Sequence, residues 1–145
     1  MHRVFGEKWE GECFHRPGAY LIPVRDGKIA VARVDGRHYL LGGGIEGAET
    51  KEECIRRECL EEAGHTCTVE GFLCSAEWYT KNAEGKNAHY TQYYYYGTLV
   101  EKISEPTERD HALVWIPMEE ICGKMHVNMQ NWALEQYMEK RNHDI

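Results

Sequence analysis

Residues 42–65 read GGGIEGAETKEECIRRECLEEAGH, and this stretch decides how the rest of the chain is organised. Three glycines open a short loop. Thr50 is placed as a helix N-cap, and Glu53, three residues later, completes a capping box. The pattern predicts a helix to about Ala63, stopped by Gly64 in the C′ position that favours glycine. At about 100° of rotation per residue, Glu58, Glu61 and Glu62 share one face about 100° wide. Ile55, Cys59, Leu60 and Ala63 form the apolar stripe beside it. The acids flank the core stripe rather than opposing it, so they are expected at a rim, partly shielded from water.

That placement carries a cost. Like charges three and four residues apart destabilise a helix, and packed together they raise one another's pKa. A bound divalent cation reverses both penalties. Carboxylate oxygens suit Mg²⁺ or Mn²⁺, and Mg²⁺ tends to keep waters and recruit substrate phosphates as further ligands. Arg57 lies within reach of Glu53 and Glu61 and can orient one of them through a forked ion pair. On this helix alone, the competing reading is an acidic face that is merely solvated.

Outward from the helix, the chain reads as strands. Residues 18–25 and 28–34 flank Asp26-Gly27, a two-residue hairpin signal, and 37–41 follows a second such signal at Asp35-Gly36. Residues 67–79 and 87–100 are rich in Tyr, Thr and Val and predict two long strands joined near Glu84-Gly85. A short strand at 112–116 ends at Pro117, with a short helix expected over 117–122. Met129, Trp132, Ala133, Tyr137 and Met138 have helical spacing over 127–140. Strands, a central helix and a closing helix predict an α/β layered fold with a mixed sheet.

Composition narrows the function classes. The chain has 145 residues, which we read as one domain, 1–145. Apolar residues make up 42% and charged residues 28%, the balance of a globular protein. With 17 basic against 24 acidic residues, the net charge of −7 argues against a partner as polyanionic as a nucleic acid. No apolar run approaches the roughly 18 residues of a membrane span, and the first residues lack the apolar core of a signal peptide. Six cysteines occur without a Cys-x-x-Cys pair, so we expect reduced thiols, mostly buried, in a cytoplasmic protein.

Gly43, Glu49, Arg57-Glu58, Glu61-Glu62 and Gly64 stand at the spacing G-x5-E-x7-R-E-U-x-E-E-x-G-U, where U is a bulky apolar residue. This run resembles the Nudix box, and all seven fixed positions match. At average residue usage, such a match at a given start is of order one in 10⁸. The order of strands, box helix, long strands, Trp115-bearing strand and final helix also resembles the MutT-type Nudix fold, an α/β/α sandwich around a mixed sheet. Three positions depart from the pattern. His65 replaces an aliphatic residue, Cys59 fills the other U position, and Leu41 stands where many members have proline. None is a metal ligand in the family pattern, so local packing changes are expected, with His65 as an extra ligand or base the alternative.

The resemblance implies hydrolysis of a nucleoside diphosphate linked to another moiety, by water attack on phosphorus with Mg²⁺ or Mn²⁺. It implies Glu58, Glu61 and Glu62 as metal-binding acids, completed by the Gly42 carbonyl, and Glu49 paired with Arg57 to hold the loop. The general base is Glu61 or Glu62, or lies outside the box at Glu105, Glu108 or Asp110. For the substrate, Arg16 is a phosphate-binding candidate, and Tyr79 and Tyr94 are ring-stacking candidates among Tyr93–Tyr96, Trp78, Tyr79 and Tyr90. Successive strand residues face opposite ways, so at most two of the four consecutive tyrosines line one pocket. The proline of ADP-ribose-type members, the tyrosine of dinucleoside-polyphosphate-type members and a coenzyme A signature are missing from their expected places. That leaves nucleoside triphosphates, oxidised ones included. The alternatives are ADP-ribose or dinucleoside polyphosphates as substrate, or a nucleotide-binding regulatory module without turnover. The expected partner is a small nucleotide, with no nucleic acid polymer and no membrane; a homodimer is left open.

Overall fold

The computed structural model describes residues 1–9, 11–107 and 110–143. In chain order the elements are β1 (His2–Phe5), β2 (Phe14–Arg25), β3 (Lys28–Val34), β4 (Arg37–Tyr39), β5 (Leu41–Gly44), α1 (Lys51–Ala63), β6 (His65–Lys81), β7 (Asn87–Lys102), β8 (Ala112–Pro117) and α2 (Asn128–His143). The sheet runs β1-β6-β7-β2-β3-β4, with β5 paired to β2 and β8 to β3. It is mixed: β2 lies parallel to β7 and β1 parallel to β6, and the other pairs are antiparallel.

The period-2 alternation of the strands builds two cores, one on each face. Ile22, Val31, Cys74 and Tyr94 face α2, where Met129, Trp132 and Leu134 are buried. Leu21, Ala30, Ala32 and Leu99 face α1, where Ile55, Cys59 and Ala63 are buried. The result is the expected α/β/α arrangement. Among the described residues, no helix is long and apolar enough to cross a membrane.

Helix α1 forms where its caps predict. The Thr50 hydroxyl accepts from the Glu53 N–H at 3.1 Å, and the Glu53 carboxylate accepts from the Thr50 N–H at 2.9 Å. Gly64 ends the helix at φ 69° and donates to the Leu60 carbonyl.

Five readings change. Residues 37–41 are two strands, because the Leu40 N–H turns to the Gln130 side chain at 2.9 Å and interrupts the ladder. No helix forms over 117–122: Pro117 ends β8 and turns follow, with Glu120 N–H bonded to the Pro117 carbonyl. Leu60 is only half-buried; Cys54 takes its place in the core, its thiol directed to the Gly43 and Gly44 carbonyls. Strand β2 begins at Phe14 rather than 18, since its parallel pairing with β7 runs from Phe14 to Pro23. All six cysteines are unpaired, but only Cys54, Cys59 and Cys74 are buried.

Candidate active site

Arg57 is the hub of the loop and helix. Its guanidinium makes a forked pair with Glu49, Nε to Oε2 at 3.0 Å and Nη2 to Oε1 at 2.7 Å. Nη1 reaches Glu58 Oε1 at 2.7 Å and Glu61 Oε2 at 3.2 Å. Nη2 also donates to the Gly44 carbonyl at 3.0 Å. One planar cation therefore ties the glycine strand, the loop and two box acids together, a task suited to a rigid fork. The Arg57 hydrogen bonds hold the Glu49 carboxyl down at about 2, helped by the Glu46 N–H. Glu53, which the sequence placed near Arg57, is occupied by the cap instead.

The remaining acid is fastened differently. Glu62 is 6% exposed, and its Oε1 accepts from the Gly42 N–H at 2.8 Å. Its Oε2 lies 3.8 Å from His111 Nε2, and His111 Nδ1 lies 3.2 Å from Asp110. The glycines make these approaches feasible. Gly42 has φ 148°, and a Cβ there would run into the Ala19 carbonyl. A Cβ on Gly43 would stand 2.7 Å from the Glu58 carboxylate. Beneath this face lies the Tyr20 ring, whose phenol is pushed well above its usual range by burial and then by Glu62 and Glu58.

Glu58 and Glu62 thus abut the glycine strand, and Arg57 holds Glu61 beside Glu58; all three are hard oxygen donors. Among the described residues, no three His, Cys, Asp or Glu side chains are gathered tightly enough to form a closed metal cage. An open set still fits Mg²⁺, which is usually held by one or two carboxylates together with waters and substrate phosphates.

On the α2 face of the sheet a cleft of about 450 Å³ is lined by Arg16, Tyr20, Gly44, Trp78, Tyr90 and Gln92, among others. Trp78 and Tyr90 rings lie 5.9 Å apart, tilted by 36°. Gln92 sits in a polar chain at its floor. Its Oε1 accepts from Tyr94 OH at 2.7 Å and Gln130 Nε2 at 3.2 Å, and its Nε2 donates to Tyr20 OH at 3.3 Å.

Of the substrate candidates, Arg16 lines this cleft and the other two do not. Tyr94 is fully buried and supports Gln92 from behind. Tyr79 is stacked on His89 at 4.2 Å, on the opposite face of β6 from Trp78. Of the acids outside the box, Glu105 is 85% exposed and paired with Lys102 at 3.3 Å. Among the described residues Asp110 approaches the acid face through His111, and Glu108 lies outside the described residues. Sequence reasoning missed Gln92, Gln130 and His111. Their only signal was polarity inside or beside apolar runs, and that does not distinguish a surface from a cleft.

His65, half-buried, follows the box. Its Nδ1 is buried without a hydrogen-bond partner among the described residues. Burial, then Arg25 and Lys102, holds its pKa below the usual 6.5. Folding therefore favours the neutral ring. The unfolded chain takes up the proton first, so stability is complete above pH 6.5 and declines as pH falls below it. A His65→Leu variant is expected to unfold a few degrees higher, from relief of about 1–2 kcal/mol of unmet polar burial. The gain should widen between pH 7 and 5. A lower Tm at both values, measured by thermal unfolding, would contradict this.

Comparison with known proteins identifies the family and the fold. The NUDIX domain sequence model matches residues 14–138. A NUDIX hydrolase from Nitrosomonas europaea superposes with a TM-score of 0.75 at 18% identity, covering 86% of this chain and 89% of that one. A MutT NUDIX hydrolase from Burkholderia pseudomallei gives 0.70 at 25% identity, over 84% and 97%. The E. coli ORF135 protein gives 0.64 at 27% identity, over 89% and 92%. With the box, the sandwich and a match spanning most of its length, the chain belongs to the Nudix family of hydrolases.

Proposed function

We propose that the chain hydrolyses a pyrophosphate bond of a nucleoside triphosphate or an oxidised dNTP, with Mg²⁺, or Mn²⁺ in its place. Pyrophosphate hydrolysis with a divalent metal is the general chemistry of the family. One observation carries the finer reading: the ring-lined cleft and the acid face share a single strand of three glycines. Gly44 lines the cleft, Gly43 abuts the Glu58 carboxylate and the Gly42 N–H holds Glu62. A base against Trp78 or Tyr90 therefore directs its phosphates along that strand, past Arg16, toward Glu58, Glu61 and Glu62. The likeness to a MutT NUDIX hydrolase, at 25% identity, supports a MutT-like reading.

Glu58, Glu61 and Glu62, with the Gly42 carbonyl, would hold the metal. When bound, it neutralises phosphate oxygens and lowers the pKa of water. Arg57 and Glu49 fix the positions of the acids. Arg16 binds phosphate. Glu61, with its side chain 37% exposed against 8% for Glu62, is the acid better placed to take the proton from attacking water.

A hydrolysis panel with Mg²⁺ tests this, using NTPs, oxidised dGTP, ADP-ribose, dinucleoside polyphosphates and nucleotide sugars. A triphosphate should be cleaved at least tenfold faster than the others, and Trp78→Ala should raise its KM more than it lowers kcat, since stacking on a base contributes about 1–3 kcal/mol. Fastest cleavage of ADP-ribose or a dinucleoside polyphosphate would replace the substrate reading. A Trp78→Ala variant with unchanged KM would remove the cleft from it.

A further inference from the structure

Away from the acid face, the parallel pairing of β2 and β7 sets His15 opposite His89. Their Nδ1 atoms face each other at 2.8 Å, with the rings nearly perpendicular at 88°. The other nitrogen of His89 is engaged: Nε2 lies 2.8 Å from Glu77 Oε1. Glu77 is an acceptor, its carboxyl held below the usual range by His2 and then His89. His89 Nε2 therefore carries a proton toward Glu77, and in the neutral ring Nδ1 presents a lone pair to His15. The Tyr79 ring, stacked 4.2 Å from His89, holds the imidazole plane. His15 Nε2 faces the Cys13 sulfur at 3.6 Å, which accepts or donates a proton.

Two imidazole nitrogens at this separation need one electrophile between them, either a proton or a metal cation. We propose that the His15–His89 pair is a binding site for a borderline transition-metal cation such as Zn²⁺ or Ni²⁺, separate from the Mg²⁺-type acid face. The donor type decides the metal class, because imidazole selects Zn²⁺, Ni²⁺ and Cu²⁺ whereas Mg²⁺ selects oxygen. Tetrahedral zinc bonds of about 2.0–2.1 Å place two nitrogens roughly 3.3 Å apart, so the rings need to part by only about half an ångström. The Glu77–His89 hydrogen bond is the carboxylate–histidine arrangement that sets the tautomer of a metal ligand. Among the described residues no third donor closes the set. The site is thus an open two-nitrogen chelate completed by water, which the exposed His15 admits. None of these residues lines the aromatic cleft, so the proposal does not depend on the substrate reading.

The test is a Zn²⁺ titration with Mg²⁺ in excess, read by ¹⁵N NMR of the imidazoles and by Tm. In the unmodified chain, the Nδ1 resonances of His15 and His89 should shift together and saturate, and Tm should rise with Zn²⁺. Either His15→Asn or His89→Asn should abolish both responses. Glu77→Gln should weaken binding about 10–100-fold. Resonances that stay in place at millimolar Zn²⁺ would show that a proton alone fills the gap and would overturn the proposal. Equal saturation in His15→Asn, whose exposed side chain puts folding at little risk, would overturn it too.

Discussion

A Glu62→Gln variant is expected to fold with a Tm close to that of the unmodified chain and to turn over on the order of 10²–10³-fold more slowly. The substitution is nearly isosteric. The glutamine carbonyl can still accept the Gly42 N–H that Glu62 Oε1 accepts at 2.8 Å. What is lost is the negative charge at a carboxylate only 6% exposed, where low local dielectric makes each charge count for more. The second oxygen, 3.8 Å from His111 Nε2, becomes an amide that donates rather than accepts. Loss of turnover with the fold kept assigns the charge to the reaction, and the Mg²⁺ concentration for half-maximal rate should rise in parallel. Turnover within twofold of the unmodified enzyme would remove Glu62 from the proposed metal set and shift the role to Glu58 and Glu61.

What the sequence made legible was what depends on near neighbours in the chain. The limits of α1 followed from Thr50, Glu53 and Gly64, all within one turn of the ends they set. The turns at Asp26-Gly27 and Asp35-Gly36 were equally local, with φ of 51° at both aspartates. Helix spacing placed Arg57 near Glu61, as the structure has it, and near Glu53, which the cap takes instead; the Arg57–Glu49 pair was implied by the family resemblance. The rest depended on partners distant in the chain. Strand β1 is short and largely exposed, and it becomes a strand only because Ser75–Trp78 lies beside it. Four consecutive tyrosines announced alternation, but which of them faces a cavity was set by what covers each side. Tyr94 is covered by α2, Tyr93 lies under Lys51 at 4.5 Å, and neither reaches the cleft that Tyr90 lines. The His15–His89 contact joins residues 74 positions apart through a parallel register that no local pattern encodes.

The Arg57 hub explains why the acids of α1 tolerate one another, and its removal is the second large effect. An Arg57→Ala variant strips Glu49 of both its guanidinium bonds and leaves Glu58 and Glu61 facing each other without the cation that both now touch. It also leaves the Gly44 carbonyl without its donor. Positioning residues of this kind typically cost 10–100-fold in activity or metal affinity, and kcat/KM is expected to fall by about that factor. Three further readouts separate positioning from general damage. The Mg²⁺ requirement should rise, because Glu58 and Glu61 are no longer held in place to receive the cation, and high Mg²⁺ should recover part of the lost Tm. Arg57→Lys should not rescue, since a point charge cannot span both Glu49 oxygens. The acid limb of the stability curve should change as well. In the unmodified chain the Glu49 pKa lies at about 2 against a usual 4.5. A lowered carboxylate pKa contributes stability above its unfolded value and loses it as pH falls toward the folded one. That contribution is complete above pH 4.5 and fades toward pH 2, whereas the variant should lack this part of the slope. An Arg57→Ala protein with the original Mg²⁺ dependence and the original acid limb would show that the acids hold their places without the guanidinium.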